Sequence, residues 1–265
     1  MSNEKNVKKK IIQFQQEIFV IQQLILRDKK RNISSTFMGK LWEIVNPLVT
    51  MIVMVLVFGK MFGNDSDRYL PIYVLTGTTI YGFFTSGTIM CLNALAGNRS
   101  FLIKAQIKKE IYVLQKILFA FQNFLYSVIV YMFIAAVYRI EINWTWLYVI
   151  PDMILLSLMM YGIGKFLATI NVSFADITYF YRIFTLMLMY GSALFYRVDR
   201  MAPYVQRVIN LNPIYISVTI ARIAIIDRTY PPIIMWEKLI FYASLFYIVG
   251  TYIFNMEKDN VVAKL

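Results

Sequence analysis

The amino-acid sequence predicts an all-α integral membrane protein. The expected plan has six transmembrane helices, an amphipathic interface helix in front of them, a short cytoplasmic helix inside them and a re-entrant helical hairpin on the outer face. Three observations carry this. Of 265 residues, 59% are apolar, 16% aromatic and only 16% charged, with a mean hydropathy of +0.58. That is more apolar surface than one soluble core hides. Uncharged runs long enough to cross a 30 Å hydrocarbon core also recur along nearly the whole chain. Finally, the polar interruptions are too short to fold separately, so one membrane domain is expected over 44–255, flanked by cytoplasmic segments 1–43 and 256–265.

Residues 1–10 are Lys-rich and are expected to be mobile. From Ile11, the apolar residues Ile11, Phe14, Ile18, Ile21 and Ile25 recur every three or four positions, with Gln and Glu elsewhere around the turn. That pattern predicts one amphipathic helix on the cytoplasmic membrane face. Spans are expected near Ile44–Phe62, Leu70–Leu95, Ile117–Tyr138, Leu147–Thr169, Ile177–Tyr196 and Met235–Asn255. The second is the cleanest, because no charge interrupts 69–98. Asp152, Lys165 and Arg182 fall in or near the fourth and fifth, where a central charge costs about 2.5 to 3.5 kcal/mol. Between spans two and three, Leu102, Ile103, Ile107, Ile111 and Leu114 at helical spacing among lysines predict a short amphipathic helix. Before the last span, Pro203 and Pro213 suit first helical positions and Asn212 suits an N-cap. Ile214, Val218, Ala221 and Ile225 then form one stripe, so two short helices are expected, neither long enough to cross.

Eighteen of the 27 Lys and Arg fall on one side of this plan, which the positive-inside bias assigns to the cytoplasm together with both termini. Nine fall outside, and six of these (Arg197, Arg200, Arg207, Arg222, Arg228 and Lys238) crowd the connection before the last span. The net charge of +12 thus reflects orientation, and no nucleic-acid partner is expected. With one cysteine, Cys91, and no histidine, Cys/His metal sites and Ser-His-Asp triads are excluded. No G-x-x-x-x-G-K-[ST] occurs, so energy must come from elsewhere. Asp65-Ser66-Asp67 has the D-x-D form used for sugar nucleotides, but it sits in an outer turn where Asp and Ser are expected anyway. No catalytic residue, metal or cofactor is expected in this chain.

The run Arg27-Asp28, Arg31, Ser35, Gly39, Trp42, Asn46-Pro47-Leu48, Met51 and Phe58-Gly59 resembles the opening signature of ABC-2 type permeases that export polysaccharides and teichoic acids linked to polyprenyl lipids. Ile107 to Leu114 resembles the family's coupling-helix segment, within 97–116. Leu211-Asn212-Pro213 with Arg222 resembles the motif of the outer gate helices, within 203–227. The chain departs from the family at Lys108-Lys109, Ala175-Asp176 and Ser192-Ala193. The resemblance implies a homodimeric transport subunit in the plasma membrane, not an enzyme. It pairs with two copies of a separate ATP-binding subunit that holds ATP and Mg, and it moves a lipid-linked glycan outward. An ABC-2 exporter of drugs or other hydrophobic small molecules is the alternative.

Candidate site residues follow. Ile107, Lys108, Lys109, Glu110 and Ile111 are expected to contact the ATP-binding subunit. Arg27, Lys29, Lys30, Arg31 and Lys40, clustered before the first span, are expected to attract a lipid pyrophosphate at the inner leaflet. Tyr73, Tyr81, Tyr179, Tyr190 and Tyr196 are candidate channel-lining rings on which sugars could stack, or else helix-packing and interface anchors like most aromatic residues here. At 100° per residue, Tyr179 and Tyr190 return to within about 20° of one face.

Overall fold

The computed structural model describes residues 2–34, 45, 48–50, 52–53, 56–57, 69–104 and 107–264. Among them the architecture is wholly helical. Helix α1 spans Ser2–Ser34 and α2 spans Leu70–Leu92. The six-residue α3 (Arg99–Lys104) precedes α4 (Glu110–Val137). A 3₁₀ turn, Trp144–Tyr148, runs into α5 (Val149–Ser173). Then come α6 (Ile177–Gly191), α7 (Pro203–Ile209), α8 (Pro213–Arg222) with a π-turn over Ile223–Asp227, and α9 (Ile233–Lys264).

Among the described residues, three helices are long and apolar enough to cross a membrane: Glu110–Val137, Trp144–Ser173 and Ile233–Lys258. The Pro203–Ile209 and Pro213–Asp227 pair, bent by 94°, makes a fourth if it counts as one. The expected first span lies mostly outside the described residues, as do Lys40 and Asp65-Ser66-Asp67. The expected second span is the uncharged 23-residue α2. It carries five threonines, of which Thr76, Thr78, Thr85 and Thr88 return their hydroxyls to its own carbonyls. Packed among α4, α5 and α8, α2 faces protein and needs less apolar surface than a lipid-facing span. The fifth expected span shrinks to the 15-residue α6, about 22 Å long.

Glycines set how closely the helices approach. At Gly162 a Cβ would collide with the Phe246 carbonyl, and at Gly250 with the Gly162 backbone. Helices α5 and α9 therefore run side by side in backbone contact, the most extensive pairing in the molecule. On α2, Gly87 admits Met160 and Ala120, while Gly164 of α5 admits Cys91. The main core collects Phe83, Phe84, Tyr112, Val113, Met159, Met160, Leu194 and Val218, all buried.

Two expectations are corrected by the geometry. The helix expected from Ile11 begins earlier, at Ser2. The amphipathic helix expected across Phe101–Lys116 is split: α3 stops at Lys104, residues 107–109 form a turn, and Ile111 and Leu114 already belong to α4. The two short helices expected before the last span form where Pro203 and Pro213 place them. Pro213 occupies the first turn of α8, the Asn212 side chain accepts from the Ile214 N–H at 2.9 Å, and Ile214, Val218, Ala221 and Ile225 are buried.

Candidate functional site

Candidate residues gather at two ends of the helical bundle. At the first, α1 lies across the start of α4. Its buried face is Leu24 and Asp28, while Ile18, Phe19 and Leu26 stay exposed. The buried line thus runs beside the stripe read from sequence, and the exposed apolar flank suits a membrane surface. Asp28 is 3% exposed. Its carboxylate accepts from Arg27 at 3.0 Å, Gln115 at 3.0 Å and Lys116 at 2.5 Å. Burial alone would raise the carboxyl's pKa, but Lys116, Gln115 and Arg27 together hold it below its ordinary value.

Of the cations expected to attract a pyrophosphate, Arg27 is committed to Asp28 and lies over the Phe101 ring at 5.6 Å. Lys29 is half-buried, Lys30 and Arg31 are exposed, and Lys40 lies outside the described residues. The structure therefore separates one anchoring arginine from its more exposed neighbours.

The turn over 107–109 is held on three sides. Lys108 pairs with Glu17 of α1 at 2.8 Å, Lys109 donates to the Lys258 carbonyl of α9, and Glu110 pairs with Lys165 of α5 at 3.3 Å. Ile111 is buried and Ile107 half-buried. The five expected contact residues thus run from this turn into the first residues of α4, with Lys108 the most exposed and Ile111 buried.

At the opposite end, Arg222 of α8 is 4% exposed. Its guanidinium donates to the carbonyls of Tyr73 at 3.1 Å, Ala193 at 3.0 Å and Leu194 at 2.9 Å, and lies 3.4 Å from the Tyr73 ring centroid. Arg222 is therefore held by protein, not water; it pins the hairpin to α2 and to the chain leaving α6. Ala193, at φ 48°, holds the left-handed turn that presents these carbonyls. Three expected channel tyrosines meet here. The Tyr73 hydroxyl donates to the Tyr196 carbonyl at 3.1 Å, and the Tyr196 hydroxyl to the Tyr190 carbonyl at 2.6 Å. Tyr81, one turn pair deeper, donates to the Thr185 carbonyl at 2.5 Å.

Tyr179 stands apart from this network, near the other end of α6. Together with Ile183, Leu186, Met187 and Tyr190 it forms an exposed stripe along α6 that no other described helix covers. Beside it, Phe180, Phe184 and Leu188 line one wall of an apolar groove of about 460 Å³ floored by Gly162, Phe246 and Gly250.

Sequence reading missed what Asp28, Asp152 and Lys165 do. Asp152 and Lys165 read as charges that weaken a span, yet both are buried and partnered. The usable signal was the charge itself, since ionisable side chains in membrane helices are rare and mark function.

A sequence model of the family described as ABC-2 type transporter matches residues 20–226. An O-antigen export system permease protein RfbA of Klebsiella pneumoniae is 23% identical over 71% of this chain and 73% of its own length. A second such protein of Klebsiella pneumoniae is 22% identical over the same shares. One of Myxococcus xanthus is 25% identical over 58% of this chain and 59% of its own length.

Proposed function

Because this chain belongs to the ABC-2 type transporter family, we propose that it is the permease subunit of an exporter that moves a polyprenyl-pyrophosphate-linked polysaccharide, or a teichoic acid, outward across the plasma membrane. The observation that carries the substrate class is the likeness, over most of both chains, to proteins named as O-antigen export permeases. Six spans, cytoplasmic termini, a homodimer and an ATP-binding subunit in two copies complete the proposal. In it, the 107–111 turn meets the ATP-binding subunit, and Lys29, Lys30 and Arg31 draw the pyrophosphate to the inner leaflet. The exposed stripe of α6 lines the channel between two copies. Its rings at Tyr179 and Tyr190 offer flat faces to successive sugars, a contact that tolerates sliding where a fixed hydrogen-bond site would hold the glycan still.

A second reading, export of hydrophobic small molecules, is favoured by the 460 Å³ groove, whose walls are almost wholly apolar. One reconstitution separates the two. The permease and its ATP-binding subunit are placed in proteoliposomes with either a polyprenyl-pyrophosphate-linked glycan or an amphipathic fluorescent dye. The proposal expects ATP-dependent movement of the glycan across the bilayer. Movement of the dye alone would replace it with the second reading.

A further inference from the structure

Helix α5 carries two buried ionisable side chains, Asp152 in its first turn and Lys165 thirteen residues on. They stand about 20 Å apart along the axis. Each is answered by a different moving candidate. Resting on the transporter reading above, we propose that Lys165 and Asp152 are positioning residues that make α5 a strut between the cytoplasmic 107–110 turn and the outer hairpin.

At the inner end, the Lys165 ammonium sits among three rings, Tyr161 at 4.4 Å, Tyr247 at 5.5 Å and Phe254 at 5.7 Å, and donates to the Thr251 hydroxyl at 3.2 Å. Its counter-ion is on neither α5 nor α9. It is Glu110, the residue that joins the 107–109 turn to α4. The pair is asymmetric: the Lys165 side chain is 2% exposed and that of Glu110 41%. The aromatic box holds the ammonium in place by cation–π attraction, while Glu110 can shift against it without being stranded in an apolar medium. A displacement of the turn is therefore delivered to α5 at a fixed point.

Between its ends α5 cannot bend independently of α9, because Gly162 and Gly250 bring the two backbones into contact. At the outer end, Asp152 accepts from the Ser217 hydroxyl of α8 at 3.1 Å, and its other oxygen has no partner. The 3₁₀ turn leading into α5 adds a second tie, from the Thr145 hydroxyl to the Ala224 carbonyl in the hairpin's π-turn at 2.6 Å. One helix thus touches the turn through a buried cation and the hairpin through a buried carboxyl. Ordinary helix packing calls for neither ionisable group, since burying one is costly.

The test uses the full-length permease with its ATP-binding subunit in lipid nanodiscs. The one native cysteine, Cys91, is buried, so Val208→Cys, at an exposed position of α7, reports on the hairpin through its labelling rate with a maleimide. With the ATP-binding subunit locked by a non-hydrolysable ATP analogue, labelling should change about fivefold or more. In Lys165→Met and in Ser217→Ala the change should fall below about twofold, while co-purification and basal ATP hydrolysis stay as they were. Lys165→Arg should restore part of the response, because it keeps the charge inside the box. A full response in Lys165→Met and Ser217→Ala would overturn the strut. No response in the unsubstituted permease would instead overturn the transporter reading on which the strut rests.

Discussion

Replacing Asp28 by Asn should release α1 from α4 while leaving the rest of the bundle intact. The carboxylate takes two contacts from Arg27 on one oxygen, and one each from Gln115 and Lys116 on the other. The amide keeps a single acceptor and removes the negative charge. Lys116, whose side chain is only 10% exposed, is then left as a buried cation without its counter-ion. Breaking a buried pair in this way costs about 3 to 5 kcal/mol. Arg27 is more than a third exposed and can turn to water, so its loss adds little. Of the other ties, the Lys108–Glu17 pair is exposed on the lysine side and is worth about 1 kcal/mol at most. With about 3 kcal/mol lost, the docking equilibrium of α1 should weaken by about two orders of magnitude.

Amide hydrogen exchange of the permease in nanodiscs reads this directly. Protection over residues 17–31 should fall about a hundredfold, with α4 unchanged. Adding Lys116→Met should recover about tenfold, because the uncompensated cation is gone. An unchanged α1 in Asp28→Asn, or a double variant worse than the single one, would refute the reasoning. The pH dependence has a fixed sign. The carboxyl is held below its ordinary 3.8, so its contribution is full above about pH 4 and is lost as the pH falls through the lower folded value. Protection of α1 should therefore be flat from pH 7 to pH 5, and a loss centred near pH 6 would contradict the assignment.

Arg222→Lys keeps the charge but cannot span three carbonyls and a ring, so the thermal midpoint in detergent should drop by an amount equivalent to about 2 to 4 kcal/mol. Gly77→Ala should move it in the same direction, since a Cβ there would come within 2.7 Å of the Arg222 Nη2. Gly250→Val should cost at least about 1 to 3 kcal/mol by prising α9 from α5, whereas Gly82→Ala, which meets nothing within 4 Å, should be neutral in the same melt. If Tyr179 and Tyr190 stack on sugars, the double Ala variant should lose most glycan export in proteoliposomes and the double Phe variant should keep most of it. Equal losses would assign both rings to packing.

What the sequence made legible was whatever repeats or punctuates. Pro203, Asn212 and Pro213 act through local backbone chemistry, so the hairpin could be read from a dozen residues. The spans expected at α4, α5 and α9 coincide with helices long and apolar enough to cross, because lipid-facing surface must be apolar. That logic says less of α2 and α6, neither of which is both long and apolar enough to join those three. Buried among protein, α2 tolerates five threonines, and α6 ends early because the left-handed Ala193 and the 192–196 turn serve Arg222. The side of α1 that packs on α4 was out of reach of the pattern for a related reason. Periodicity ranks apolar residues, whereas the deepest side chain near its end is Asp28, placed there by Lys116 and Gln115 some 88 residues away.

The crowd of basic residues before the last helix shows what counting charges omits. Six cations on the expected outer side conflict with a positive-inside reading only if all of them face water or lipid headgroups. Arg222 does not; three carbonyls and the Tyr73 ring enclose it. Arg228 is paired with Glu141 at 2.7 Å, and Arg197 lies over Tyr73 at 5.7 Å. At least three of the six are thus engaged by the protein and carry little weight in setting orientation. A buried arginine surrounded by neutral acceptors is also easier to release than one held by a carboxylate, because parting it strands no opposite charge. A hairpin fixed by carbonyls and a ring is therefore better suited to opening and closing than one locked by a buried ion pair.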